Sequence, residues 1–108
     1  MTRTFGFTLP ADTNTRNLYT YLCTITGVNP NDGSFRERCT HLIIVPTSGN
    51  SGTITICDSN NANTGGIILA GTSAPIVIRT TGNDICLRDF YMKPSAASQG
   101  LQVMVTSF

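Results

Sequence analysis

Four cysteines and one histidine are the most reactive side chains in this 108-residue chain. Cys39 and His41 stand two apart, and alternate residues of a strand share a face, so Cys39-Thr40-His41 can aim a thiol and an imidazole the same way. A structural zinc site asks for two such close pairs. Neither Cys57 nor Cys86 has a second ligand at that spacing, so no metal and no cofactor is expected. His41 reads instead as a hydrogen-bonded residue at the start of a strand, with no acid close in sequence to orient it as a base. An even cysteine count in a short secreted chain would suggest disulfides. Here the N-terminus has Arg3 and no apolar export segment, and Cys57 and Cys86 lie within apolar runs. The expectation for Cys23, Cys39, Cys57 and Cys86 is buried free thiols, in a chain made in a reducing cytosol.

The remaining chemical signals are weaker. Asp12, Asp32, Glu37, Asp58, Asp84 and Asp89 are scattered, and no pair forms a glycosidase dyad. Asp58-Ser59-Asn60-Asn61-Ala62-Asn63 is rich in oxygen but lacks the carboxylates and closing bidentate acid of a calcium loop. Gly65-Gly66 and Gly49-Asn50-Ser51-Gly52 lack the lysine and following helix of a phosphate loop. No serine occupies a Gly-x-Ser-x-Gly elbow. Arg88-Asp89 reads as a strand-end ion pair or turn, and Tyr91-Met92-Lys93-Pro94 as a strand edge closed by proline. The sequence therefore predicts no enzyme. A net charge of +1 without a basic stripe gives no footprint for nucleic acid, and Arg36-Glu37-Arg38 reads as a solvated strand entry. Apolar runs of four or five residues are far too short to span a membrane. Charged residues are only 12% of the chain, about half the usual share. Such a surface suits packing within a larger assembly, or is the ordinary polar face of a β-sandwich.

The elements that must position these residues are mostly strands. In Thr4-Phe5-Gly6-Phe7-Thr8-Leu9, Phe5, Phe7 and Leu9 share one face, and Pro10 ends the run. This segment, residues 1–9, is expected to be a strand or extended arm, packed on its own domain or reaching a neighbour. Phe5, Phe7 and Leu9, with the terminal Phe108, are the candidate partner contacts. Residues 14–27 are ambiguous. Leu18, Tyr21, Leu22 and Ile25 fall on one helical face, whereas Tyr19, Tyr21, Cys23 and Ile25 alternate as in a strand. A short helix is the chosen reading, capped by Asn14 and ended by Gly27. Residues 28–34 form a turn-rich loop. From there short β-rich runs follow. Residues 35–45 should be the longest strand, stopped by Pro46, and residues 51–58 should pair with it through the glycine turn. Residues 59–65 form a polar loop. Residues 67–69 and 75–79 are short strands joined by a turn, residues 83–92 make another, and residues 101–108 the last, with Leu101, Val103 and Val105 on one side. This rhythm predicts a mainly β fold, an antiparallel β-sandwich or barrel-like module in one domain spanning 1–108, with the sandwich over 35–108.

The order of these pieces resembles that of small virion proteins of tailed bacteriophages. The matching residues run from Leu42-Ile43-Ile44-Val45 through Ser48-Gly49-Asn50-Ser51-Gly52-Thr53-Ile54-Thr55-Ile56-Cys57-Asp58 and Gly65-Gly66-Ile67-Ile68-Leu69-Ala70. They continue in Asp84-Ile85-Cys86-Leu87-Arg88-Asp89-Phe90-Tyr91 and close with Gly100-Leu101-Gln102-Val103-Met104-Val105. The chain departs from the family where Cys57-Asp58 replaces a common Val-Gly and Ala70-Gly71 replaces a Pro-Gly. The resemblance covers about residues 40–106 and implies a structural role without catalytic residues. It implies a capsid decoration (cement) protein, often a homotrimer, whose partner is the major capsid protein or another virion protein. The alternative it leaves open is a tail-fibre or head–tail-junction module that binds a receptor or glycan. Either places the protein in the phage particle after synthesis in the bacterial cytoplasm.

Overall fold

A computed structural model describes residues 2–33, 35–58 and 66–107. The polar loop expected at 59–65 and the candidate contact Phe108 lie outside the described residues. The chain is mainly β; the described residues form one α-helix and three antiparallel sheets, none of which closes on itself.

The first sheet has the order β1-β10-β4-β7, built from β1 (Thr2–Thr8), β10 (Gly100–Thr106), β4 (His41–Pro46) and β7 (Ile76–Arg79). The second has the order β2-β9-β5-β6, from β2 (Arg16–Asn17), β9 (Tyr91–Pro94), β5 (Thr53–Cys57) and β6 (Ile67–Ala70). A two-stranded ribbon pairs β3 (Arg38–Cys39) with β8 (Ile85–Cys86). Period-two alternation decides which side of each strand is buried. Leu42 and Ile44 on β4 and Leu101, Val103 and Val105 on β10 turn inward, with Ile54, Ile56, Leu69 and Met92 of the second sheet in the same apolar cluster. The single helix α1 (Leu18–Thr26) adds Leu18, Tyr19, Leu22 and Cys23 to that cluster.

The helix is real, but its cap and its buried face differ from expectation. Asn17, not Asn14, caps it, its side chain accepting from the Thr20 N–H at 3.1 Å. The Asn14 N–H is instead held by the Asp12 carboxylate at 3.0 Å. Gly27 ends the helix with φ 73°, where a left-handed residue is needed. Ile25 is 41% exposed, and the buried face turns toward Tyr19. The Tyr19 hydroxyl reaches the Phe35 carbonyl at 2.5 Å, so the ring can be buried with its polar end satisfied. Thr24 and Thr26 donate to carbonyls of the preceding turn, Thr20 O and Leu22 O, which lets a threonine-rich segment stay helical.

The pairing of residues 35–45 with 51–58 is corrected. β4 pairs with β10 and β7, while β5 pairs with β6 and β9, so the turn between β4 and β5 carries the chain from one sheet to the other. That turn is fastened to another loop. The Asn50 amide donates to Gly100 O at 2.9 Å and accepts from Gly100 N–H at 2.7 Å, and the Gln99 side chain accepts the Gly52 N–H at 2.8 Å. A tight hairpin would forfeit these bonds. β6 and β7, expected as neighbours through a turn, likewise fall in different sheets.

The longest expected strand is also broken. Thr40 diverts the backbone, its N–H going to Thr106 O at 2.8 Å and its carbonyl accepting from Thr80 N–H at 2.8 Å. Residues 83–92 split similarly into β8, a 3-10 turn at Leu87–Asp89, and β9.

Candidate interaction surface

The sequence nominated Phe5, Phe7 and Leu9 for a partner, on a segment read as a strand or extended arm that packs on its own domain or reaches a neighbour. The structure makes that segment a strand: β1 pairs with β10 along its whole length, from Thr2↔Thr106 to Thr8↔Gly100. Phe5 and Leu9 are buried in the chain's own core, and Phe7 packs at its margin with its ring centroid 5.2 Å from that of Tyr21. An arm offering three apolar side chains to a neighbour is therefore not the arrangement found. Burying Phe5 and Leu9 at home, with Phe7 partly covered, outweighs leaving them in water.

The reactive residues do not converge. Among the described residues no group of three His, Cys, Asp or Glu side chains could hold a metal ion. All four cysteines are free, with Cys23, Cys39 and Cys57 buried and Cys86 partly so. Burial, helped by the nearby Cys86, pushes the Cys39 thiol up to about 11, which keeps it protonated and unreactive at neutral pH. His41 starts β4 with its Nδ1 2.9 Å from the Thr40 hydroxyl. Arg88 does not pair with Asp89. It forms an ion pair with Glu37, donates to Pro30 O at 2.6 Å, and lies with its guanidinium 4.5 Å from the Tyr19 ring centroid. Burial, then a hydrogen bond with Cys23, lifts the Tyr19 phenol to about 12. This corner ties Pro30 and Glu37 to the helix through Arg88 and Tyr19. A second pin lies at the other end, where Arg3 stacks 4.8 Å from the Phe35 ring centroid. Among the described residues no helix is long and apolar enough to cross a membrane.

Accessible apolar surface gathers elsewhere. Ile67 is 56% exposed, Ile68 64% and Val77 52%, and all three sit on β6 and β7, the outermost strands of the two sheets. Between these strands opens a cleft of about 400 Å³ lined by Ile56, Ile67, Ile76, Ile78 and Phe90, with Asp58 at its side. On the outward face of the first sheet, register aligns Thr4, Met104, Ile43 and Val77 in one row across all four strands. Ile67 lines the cleft, while Ile68 and Val77 stand on the outer faces of the second and first sheets, so the cleft and the two strands beside it, which are edges among the described residues, are the candidate interaction surface.

Register also fixes which backbone groups face outward. The Thr53 carbonyl accepts from Ser95 N–H, so the odd positions of β5 point to β9, and Ile54 and Ile56 point to β6. Leu69 and Ile67 take those bonds, which leaves the Ile68 amide and carbonyl directed away from the sheet. On β7, the Thr80 N–H meets Thr40 O, so Ile76 and Ile78 bond to β4 and Val77 and Arg79 face out.

Sequence reasoning marked β6 and β7 as strands but did not single out their isoleucines. The legible signal was Ile67-Ile68 itself. Adjacent residues of a strand point to opposite faces, so a strand packed on one side only must leave one of them exposed.

No family model, no curated protein and no solved structure matches this chain.

Proposed function

We propose that this protein is a structural component of a bacteriophage virion, a β-sandwich module that decorates the capsid and stabilises its shell. The observation that carries the reading is the exposed isoleucine and valine on β6 and β7, edge strands among the described residues, on either side of an open apolar cleft. A chain with only 12% charged residues supports it, because little charge must be desolvated when the module packs against a neighbour. The mechanism is mass action. A module that binds the assembled shell and not its free subunits shifts the equilibrium toward the shell. Each contact can be weak, because symmetry repeats it many times. In this reading the partner is the major capsid protein, and the copies group as trimers.

The test uses shells of the encoding phage stripped of the protein. Adding purified protein should give saturable co-sedimentation and raise the temperature at which the shells release their DNA. Ile76→Asp within the cleft should weaken the co-sedimentation while the free protein keeps its circular-dichroism spectrum. Shells that neither bind the wild-type protein nor gain heat resistance would refute the proposal.

A further inference from the structure

Charge is sorted unevenly over the first sheet. The ionisable residues of β1, β4, β7 and β10 are Arg3, His41 and Arg79, and none of these four strands carries a carboxylate. Arg3 stacks on the Phe5 and Phe35 rings. His41 and Arg79 point outward instead, because Leu42 and Ile78 beside them turn toward the core. They are direct cross-strand partners. The Thr40 carbonyl takes the Thr80 N–H, so by alternation His41 and Arg79 form the closer, non-hydrogen-bonded kind of pair. No carboxylate among the described residues forms an ion pair with Arg79. The next acid along the chain, Asp84, stands beside Gly82.

His41 is held in one orientation. The Thr40 hydroxyl has a single proton and gives it to the Thr106 carbonyl at 3.0 Å, so it accepts from His41 Nδ1–H at 2.9 Å. Nε2, across the ring, is the nitrogen left for a ligand. One row along β4, a hollow of about 140 Å³ is lined by Thr4, Ile43, Val45, Gln102, Val103 and Met104, room for a single aliphatic side chain.

We infer that the outer face of the first sheet is a docking surface for an extended, acidic segment of a partner protein: Arg79 and His41 clasp a carboxylate, and the hollow takes an apolar side chain two residues away on the same segment. Charge complementarity selects the occupant. A carboxylate matches the paired N–H donors of a guanidinium, and an imidazolium beside it adds a further charged donor. A second copy of this face brings no carboxylate to the pair. Nucleic acid binds through many phosphates at once and needs a run of cations, whereas here one arginine and one histidine border an apolar hollow. Outward residues of β4 recur every ~7 Å, as do same-side residues of any extended segment, so an acid over His41 sets its second neighbour near Ile43. The face also adjoins the cleft, since Val77 and Arg79 alternate along β7 with Ile76 and Ile78, which line it. An exposed ion pair adds only a few-fold to affinity, so the contact is weak singly and gains by repetition in a symmetric shell. The inference rests on the proposed virion role for the partner's identity and deepens it by naming the chemistry that holds the partner.

The experiment is an NMR titration of the full chain at low salt with the capped peptide Thr-Glu-Thr-Leu-Thr, taken to millimolar concentration. Saturable shifts should gather on His41, Ile43, Arg79 and Met104. A peptide with glutamine in place of the glutamate should bind about threefold more weakly, the loss of one exposed ion pair. Arg79→Gln, at an exposed strand end, should keep the dispersed spectrum and bind both peptides equally, which ties the glutamate to this arginine. Alanine in place of the peptide's leucine should remove the shifts of Ile43 and Met104. Overturning results are the absence of saturable shifts, shifts confined to Ile78 and Phe90 in the cleft, or a preference for glutamate that survives Arg79→Gln. A short DNA duplex that shifts these residues when neither peptide does would overturn it too, since the face would then hold phosphate. These readouts need no phage particle. Peptide binding by a protein that never binds shells refutes the virion role alone. Shell binding unchanged by Arg79→Gln, in a protein that ignores the peptide, refutes this docking face alone.

Discussion

At the residue scale, ionisable groups here serve as fasteners. Asp12 grips Arg16 through both carboxylate oxygens at 2.7 Å, and the Arg16 bonds, then the Asn14 amide, lower its pKa from 3.8 to about 2. A depressed carboxylate favours the folded chain above the unfolded-state value and loses that advantage as pH falls toward the folded one. The difference in thermal midpoint between wild type and Asp12→Asn should therefore be present at neutral pH and shrink between pH 4 and 2. Cys39 works in the opposite sense. Its folded-state value is raised, so its contribution is whole below pH 9 and declines as pH climbs from 9 to about 11. Its neighbours make the same prediction in chemical form. In the native protein only Cys86 should react quickly with a thiol reagent, and all four cysteines should react after denaturation. Three fast thiols in the native state would contradict the buried placement.

At the scale of elements, two interlocks decide stability. The first is the loop latch between residues 47–52 and 95–100. A methyl group at Gly100 would stand 2.6 Å from the Thr47 hydroxyl oxygen, so Gly100→Ala should cost about 1–3 kcal/mol, as overpacking does. Asn50→Ala strips the Gly100 N–H of its partner, leaves the Gly100 carbonyl with the Thr47 N–H alone, and should cost about 1–3 kcal/mol. Urea titration reads both, and a loss below the error of the method would mean that the latch is ornamental. The second interlock is β1. Deleting residues 1–9 removes Phe5 and Leu9 from the core and exposes one side of β10. The truncated chain should fail to give a dispersed amide spectrum, whereas a dispensable arm would leave it intact.

These elements also mark how far the sequence could be read. Alternation named Phe5, Ile44, Ile54, Leu101 and Val103 as strand residues, and Gly27 located the end of the helix. Those are local properties. Which strand lies beside which was not legible, because it depends on bonds between residues some 50 apart, such as Asn50 with Gly100. Proximity along the chain favoured a β4–β5 hairpin, and that bond favoured a crossover. The candidate surface was hidden for the same reason: Ile67 and Ile68 look like core residues until β6 proves to be the last strand of its sheet.

At the scale of the whole molecule, one apolar cluster runs through both four-stranded sheets and the helix, and the outermost strands β6 and β7 flank an open cleft. A surface of this kind costs an isolated protein solubility and benefits one that is covered in use. The proposed virion role is the cover we assign to it. The most direct test is a cryo-microscopy map of the particle encoded with this chain. The proposal predicts symmetry-repeated density on the shell that accepts the two sheets and helix, with the β6–β7 side against a neighbouring subunit. A complete particle with no such density, or with this chain docked by its opposite side and β6 and β7 open to solvent, would contradict it.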